Sequence, residues 1–164
     1  MIEKNDLLNW LEEIDKKLKN EMIIVSVGGT AMTLLGLKSS TINIDFCINS
    51  KDKGNFEKVL DNKFKVDIFI DGFIFSEQLP KDYIEKSKEI IKMENIILKA
   101  LNPIDIIITK TSRLNARDEE DIQTLVKHVD KEELIKRFNK VIKTYSGSED
   151  EYKRKFDVVL RRFF

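Results

Sequence analysis

A run of apolar, largely β-branched residues, Met22 to Val27, stops on Gly28-Gly29 and gives way to a helix-forming stretch, Thr30 to Leu37. That order constrains the chain more than any other segment. A buried strand feeding straight into a helix implies a sheet with helices packed on it. Glycine permits the sharp turn and lets another group approach the backbone closely. A Gly-Gly step of this kind is usually only a tight turn, although backbone amides at a helix start can also face a phosphate.

Two further segments alternate with the period of a strand. In Ile42 to Ile48, Ile42, Ile44, Phe46 and Ile48 share one face and Asn43, Asp45 and Cys47 the other. In Lys65 to Ile70, Val66, Ile68 and Ile70 oppose Asp67 and Phe69. Residues i and i+2 of a strand project to one side, and paired strands lie ~4.8 Å apart. If these two strands are neighbours, Asp45 and Asp67 converge, and such a pair can hold one or two Mg²⁺ ions against nucleotide phosphates.

The remaining pattern is helical with one hairpin. Leu7, Leu8, Trp10, Leu11, Ile14 and Leu18 recur at helical spacing behind Asn5 and Asp6, and Phe56 to Leu60 suggests a short helix. Lys88 to Met93 and Asn95 to Leu98 read as a hairpin around Glu94-Asn95. Asn102-Pro103-Ile104-Asp105 combines a capping Asn, Pro at the first helical position and a carboxylate at the third, so it opens a helix. Helices continue to the C-terminus, with breaks near Ala116, Val129-Asp130 and Ser146-Gly147-Ser148. The expected class is α/β (α+β), a mixed β-sheet flanked by helices. Residues 1–125 would form the main domain and 126–164 a C-terminal helical extension packed on it.

Composition narrows the chemistry. Of 164 residues, 41% are hydrophobic and 35% charged, which suffices for a core under a charged coat. Lys+Arg and Asp+Glu both count 29, so the chain lacks the cationic excess of a general polyanion binder. One Cys and one His exclude disulfide frameworks and Cys- or His-based metal clusters. Carboxylates, amines and backbone amides must carry any reaction. The acidic, amphipathic stretch Met1 to Glu13 lacks the apolar core of a secretory signal. The longest uncharged run, Met22 to Leu37, falls short of the ~20 residues that span a bilayer. A soluble, cytoplasmic protein without membrane contact is expected.

The order Val27-Gly28-Gly29, thirteen intervening residues, Asn43-Ile44-Asp45-Phe46, then Val66-Asp67-Ile68 resembles the nucleotidyltransferase superfamily with the DNA polymerase beta-like fold. Thr41 stands where bacterial and archaeal members often carry Thr. Further on, the segment from Asn102 through Lys110 and Arg113 to Arg117-Asp118 and Asp121-Ile122 is similar to a subgroup that includes abortive-infection toxin nucleotidyltransferases. The likeness covers roughly Met22 to Leu125.

The resemblance implies transfer of a nucleoside monophosphate from a nucleoside triphosphate to a hydroxyl on a protein, a small molecule or a tRNA end. Gly28 and Gly29, with Thr30 and Thr41, would surround the phosphates. Asn43, Asp45 and Asp67 would be the metal positions for Mg²⁺ or Mn²⁺. Lys110 would offset triphosphate charge, with Asp118 or Asp121 as the downstream acidic residue of the site. Asn43 replaces the first metal carboxylate of the family with a neutral amide, and Mg²⁺ prefers charged oxygens. The alternative is therefore a catalytically impaired relative, a nucleotide-binding or protein-interaction module. A third is an interaction domain without ligand.

Several residues keep two readings. Lys110, Arg113 and Arg117 fall on one helical stripe if their helix is continuous. It is either a phosphate-facing row or a solvated face with an exposed Arg117–Asp121 pair. Cys47 reads as a small core residue rather than a reactive thiol, and His128 as a surface residue near a helix end. The tail carrying Arg154, Phe156, Val159, Leu160 and Phe163 is a basic amphipathic helix. It would dock on the domain or on a second subunit in a homodimer, with tRNA contact as the lesser reading.

Overall fold

The computed structural model describes every residue, Met1–Phe164. Strand β1 (Ile2–Glu3) leads into helix α1 (Lys4–Lys17), which buries Leu7, Trp10, Leu11 and Ile14. Its cap is Glu3, in a reciprocal capping box with Asp6, so Asn5 and Asp6 lie inside the first turn rather than before it. Buried Asp15 accepts the backbone N–H groups of Asn95 at 2.8 Å and Ile96 at 2.7 Å, fixing the helix to the sheet.

The apolar run forms β2 (Met22–Ser26), and α2 (Gly28–Leu34) begins on the first glycine, two residues before Thr30. Then come β3 (Ser40–Thr41), β4 (Ile44–Ile48), α3 (Ser50–Val59) and β5 (Val66–Ile70). Ile42 is 53% exposed and Asn43 precedes β4, so the alternating strand is shorter than its sequence pattern. The helix seen as Phe56 to Leu60 starts at Ser50, where the Asn49 side chain caps it.

Residues 71–86 carry no periodic pattern and fold into β6 (Phe73–Ile74), β7 (Glu77–Gln78) and α4 (Tyr83–Lys86). The hairpin is β8 (Lys88–Lys92) and β9 (Ile96–Ala100), antiparallel with a bulge between Glu89 and Ile91. Seven strands make one mixed sheet in the order β7-β6-β5-β4-β2-β9-β8, with β4 parallel to β5, β2 parallel to β9, and β2 antiparallel to β4. One face is sealed: Ile24, Ile44, Phe46, Ile48 and Leu98 are buried. The other carries Ile23, Asp45, Asp67 and Ile97 and is only half covered.

Helix α5 (Pro103–Thr111) starts as its cap, Asn102, dictates, the side chain accepting the Asp105 N–H at 2.9 Å. It ends before Leu114, whose φ of 44° breaks the chain ahead of α6 (Ala116–Leu125). The row Lys110, Arg113, Arg117 is therefore not one helical stripe. Helices α7 (Lys131–Val141) and α8 (Glu149–Phe163) follow. Phe138 stacks on Phe156 at 3.8 Å between ring centres, and Tyr152 donates to the Ile108 carbonyl. The aromatic face of α8 thus enters the same 37-residue core as the sheet. Cys47 is buried, with the Gly72 N–H donating to its Sγ and the Tyr83 hydroxyl beside it, as a core residue would be. No helix is long and apolar enough to cross a membrane.

Candidate active site

Parallel pairing of β4 with β5 sets Asp45 directly opposite Asp67. Burial, then the neighbouring Asp67 carboxylate, pushes the Asp45 carboxyl up to about 6, against the pull of Arg113, Lys110 and Lys65. The Gly28-Gly29 turn meets this strand closely. Gly28 has a φ of 55°, and a Cβ there would lie 3.5 Å from Asp45 Oδ2. A Cβ on Gly29 would come within 3.2 Å of Thr41 Oγ1.

Thr30 and Thr41 act on the backbone. Both hydroxyls donate to the Asn43 carbonyl, at 3.1 and 2.9 Å, and Thr30 Oγ1 accepts the Asp45 N–H at 2.9 Å. They fix the short segment that delivers Asn43 and Asp45 to the open face. Asn43 is half-buried and borders the cleft.

The opposite wall comes from α5 and α6. Buried Lys110 lies between two carboxylates, Asp121 at 2.9 Å and Asp118 at 3.4 Å. Asp118 also receives Arg113 Nη2 at 2.8 Å, Arg113 Nε at 3.3 Å and the Asn115 N–H at 3.3 Å. Its two oxygens are thereby committed to holding the helix start and the two cations. Asp121 has Lys38 as its second partner at 3.1 Å, not Arg117. The Arg113 guanidinium sits 4.1 Å over the Phe75 ring, a cation–π contact.

These walls enclose an open cleft of about 440 Å³. Gly29, Thr41, Asn43, Asp45, Lys110, Asp118 and Asp121 line it, joined by Lys38, Arg113 and Arg117. Gly28 and Thr30 lie just behind the lining, and Asp67 stands beside Asp45 outside it. The sequence carried no sign of the partnership of Lys38 with Asp121, since 83 positions separate them. No sequence pattern marks Phe75 either, which sits in a turn with a φ of 55° inside the unpatterned segment 71–86.

Asp45 and Asp67 supply two adjacent carboxylates, and no group of three or more His, Cys, Asp or Glu side chains is disposed to hold a metal. Carboxylate oxygens are the donors that hard divalent cations such as Mg²⁺ and Mn²⁺ take.

No curated protein and no solved structure matches the chain. One family model does, over residues 5–163, and so extends through the C-terminal helices. The chain belongs to that family, described as nucleotidyltransferase of unknown function (DUF6036).

Proposed function

We propose that the cleft binds a nucleoside triphosphate together with one divalent cation, Mg²⁺ or Mn²⁺, and slowly transfers its nucleoside monophosphate to a hydroxyl on a protein, a small molecule or a tRNA end. The observation that carries this reading is the pairing of Asp45, which lines the cleft, with Asp67 beside it, next to a turn that has no side chains. Burial and the neighbouring Asp67 charge disfavour the ionised form of Asp45, and a cation held beside it would relieve both. Asp45 and Asp67 would hold that ion, which when bound neutralises phosphate charge.

In the transfer, the acceptor oxygen attacks the α-phosphorus, the bond to the β-phosphate oxygen breaks, and pyrophosphate leaves. The acceptor proton passes to solvent. The residues of this chain contribute positioning. The bare Gly28-Gly29 turn admits the phosphates, and Thr30 and Thr41 keep Asn43 and Asp45 in place. Asn43 presents a neutral amide at the position that carries a carboxylate in the resembling enzymes. It leaves the acceptor hydroxyl without charged assistance, so binding outlasts turnover. The same residue favours a second reading, a nucleotide-binding regulatory module without turnover.

The test is transfer of label from α-labelled triphosphates to the protein itself or to total tRNA, with Mg²⁺ or Mn²⁺. Wild type, Asn43→Asp and Asn43→Asp/Asp45→Asn are compared. Asn43→Asp is nearly isosteric and is expected to tighten metal binding and raise transfer, while the double variant loses the gain. Robust wild-type transfer that Asn43→Asp leaves unchanged would show that a carboxylate at this position is not needed. Nucleotide binding with no transfer in any variant would establish the regulatory reading.

A further inference from the structure

Five side chains of the cleft wall form an unbroken line of alternating charge. Lys38 meets Asp121 at 3.1 Å, Asp121 meets Lys110 at 2.9 Å, Lys110 meets Asp118 at 3.4 Å, and Asp118 meets Arg113 at 2.8 Å. The three interior members are closed off, with side-chain exposures of 10%, 4% and 2% for Asp121, Lys110 and Asp118. The two cationic ends are open, Lys38 at 37% and Arg113 at 40%. Three cations against two carboxylates leave the line with one net positive charge.

The ends also bracket the glycine turn. Lys38 Nζ is 3.9 Å from where a Cβ on Gly29 would sit. Arg113 lies over Phe75, whose ring is 3.9 Å from the corresponding point on Gly28. Asp118 takes the Nε and Nη2 groups of Arg113 and no side chain takes Nη1, so the guanidinium is oriented with a donor to spare. Lys110 lacks that freedom, because its ammonium is already shared between two buried carboxylates.

Resting on the nucleotide reading above, we infer that Lys38 and Arg113 receive the triphosphate across the Gly28-Gly29 turn, and that Lys110 is a positioning residue. Lys110 holds Asp118 and Asp121 in place, and through them the two cations that meet phosphate. This reassigns the role that the sequence resemblance gave to Lys110. Contact is with phosphate oxygens alone, so the pair gives affinity without choosing among bases.

Calorimetric titration with ATP, GTP, CTP and UTP, each with Mg²⁺, and with inorganic tripolyphosphate tests the assignment in wild type, Lys38→Gln, Arg113→Gln and Lys110→Gln. Lys38→Gln is expected to melt like wild type, and Arg113→Gln below wild type because Asp118 is buried and loses two donors, though still folded at the titration temperature. Each is expected to lose roughly ten-fold or more in affinity, a charge-assisted hydrogen bond each. The loss should be equal for all four nucleotides and for tripolyphosphate. Lys110→Gln is expected to melt well below wild type with no ligand present. Unchanged affinity in both end variants overturns the assignment, as does a loss confined to one nucleotide. A Lys110→Gln protein as stable as wild type that no longer binds overturns it too. Failure of wild type to bind any probe overturns the nucleotide reading itself, and this assignment with it.

Discussion

Asp45 and Asp67 are direct partners across two parallel strands, so two carboxylates face each other on the open side of the sheet. Without a cation, burial and the neighbouring Asp67 charge both disfavour the ionised form of Asp45. Burial is the larger cause of the raised Asp45 carboxyl, at about 6, and the Asp67 charge is the second. In metal-free protein, Asp67→Asn is expected to lower the Asp45 titration midpoint while leaving it above the ordinary carboxylate value of 3.8. Carboxyl ¹³C shifts followed from pH 3 to 8 in chelator report it. A midpoint that Asp67→Asn does not move would mean that the two groups do not interact.

The parts of this arrangement that the sequence carries are local ones. The start of α5 is written in four consecutive residues, and the strand–glycine–helix step in eight, so each could be read without knowing what packs where. Asp45 and Asp67 were visible because a polar residue in an apolar alternating strand is conspicuous. The segment 71–86 was not, because its two-residue strands and four-residue helix have no period to detect. The turn residues Asp71 and Phe75 hold positive φ values of 53° and 55° without glycine's help. The state of Lys110 was likewise hidden. Helical spacing puts it beside Arg113, and only the break at Leu114 turns Asp118 and Asp121 back onto it.

Glu77 gives the fold a pH-dependent weakness. It is fully buried in β7, its Oε1 has no hydrogen-bond partner, and the Ser112 hydroxyl is also buried without one. Burial pushes the carboxyl up to about 7, with the Ser76 N–H and the charge of Arg113 opposing. Between the ordinary 4.5 and about 7, folded protein keeps a proton that the unfolded chain has released. Stability is therefore free of this penalty below about 4.5 and is lost as pH rises through about 7. The full cost is on the order of 3 kcal/mol. Glu77→Gln, a neutral isostere, should exceed wild type in urea unfolding by roughly 2–3 kcal/mol more at pH 8 than at pH 5. A constant difference between the two variants across that range would show that Glu77 is not protonated in the native state.

The N-terminus of α5 is held by a second buried ion pair, remote from the cleft. Arg137 of α7 donates to Asp105 through two parallel bonds, Nε to Oδ1 at 2.8 Å and Nη2 to Oδ2 at 2.9 Å, and to Asp82 through Nη1 at 2.6 Å. Asp105 has no exposed surface, and its Oδ2 also takes the Asn102 amide at 2.9 Å, so the helix cap and the clamp share one carboxylate. The pair joins α5, α7 and the segment before α4, and α5 carries Lys110 at its other end. Removing one partner strands a charge in the core, whereas removing both charges does not. Arg137→Met is thus expected to cost about 3–5 kcal/mol in chemical unfolding. Arg137→Met/Asp105→Asn should cost clearly less than the sum of the two single changes, because the amide left at 105 can still accept from Asn102 and carries no charge. Strict additivity in that cycle would mean that Asp105 does not depend on Arg137, and that the helix cap alone holds the start of α5.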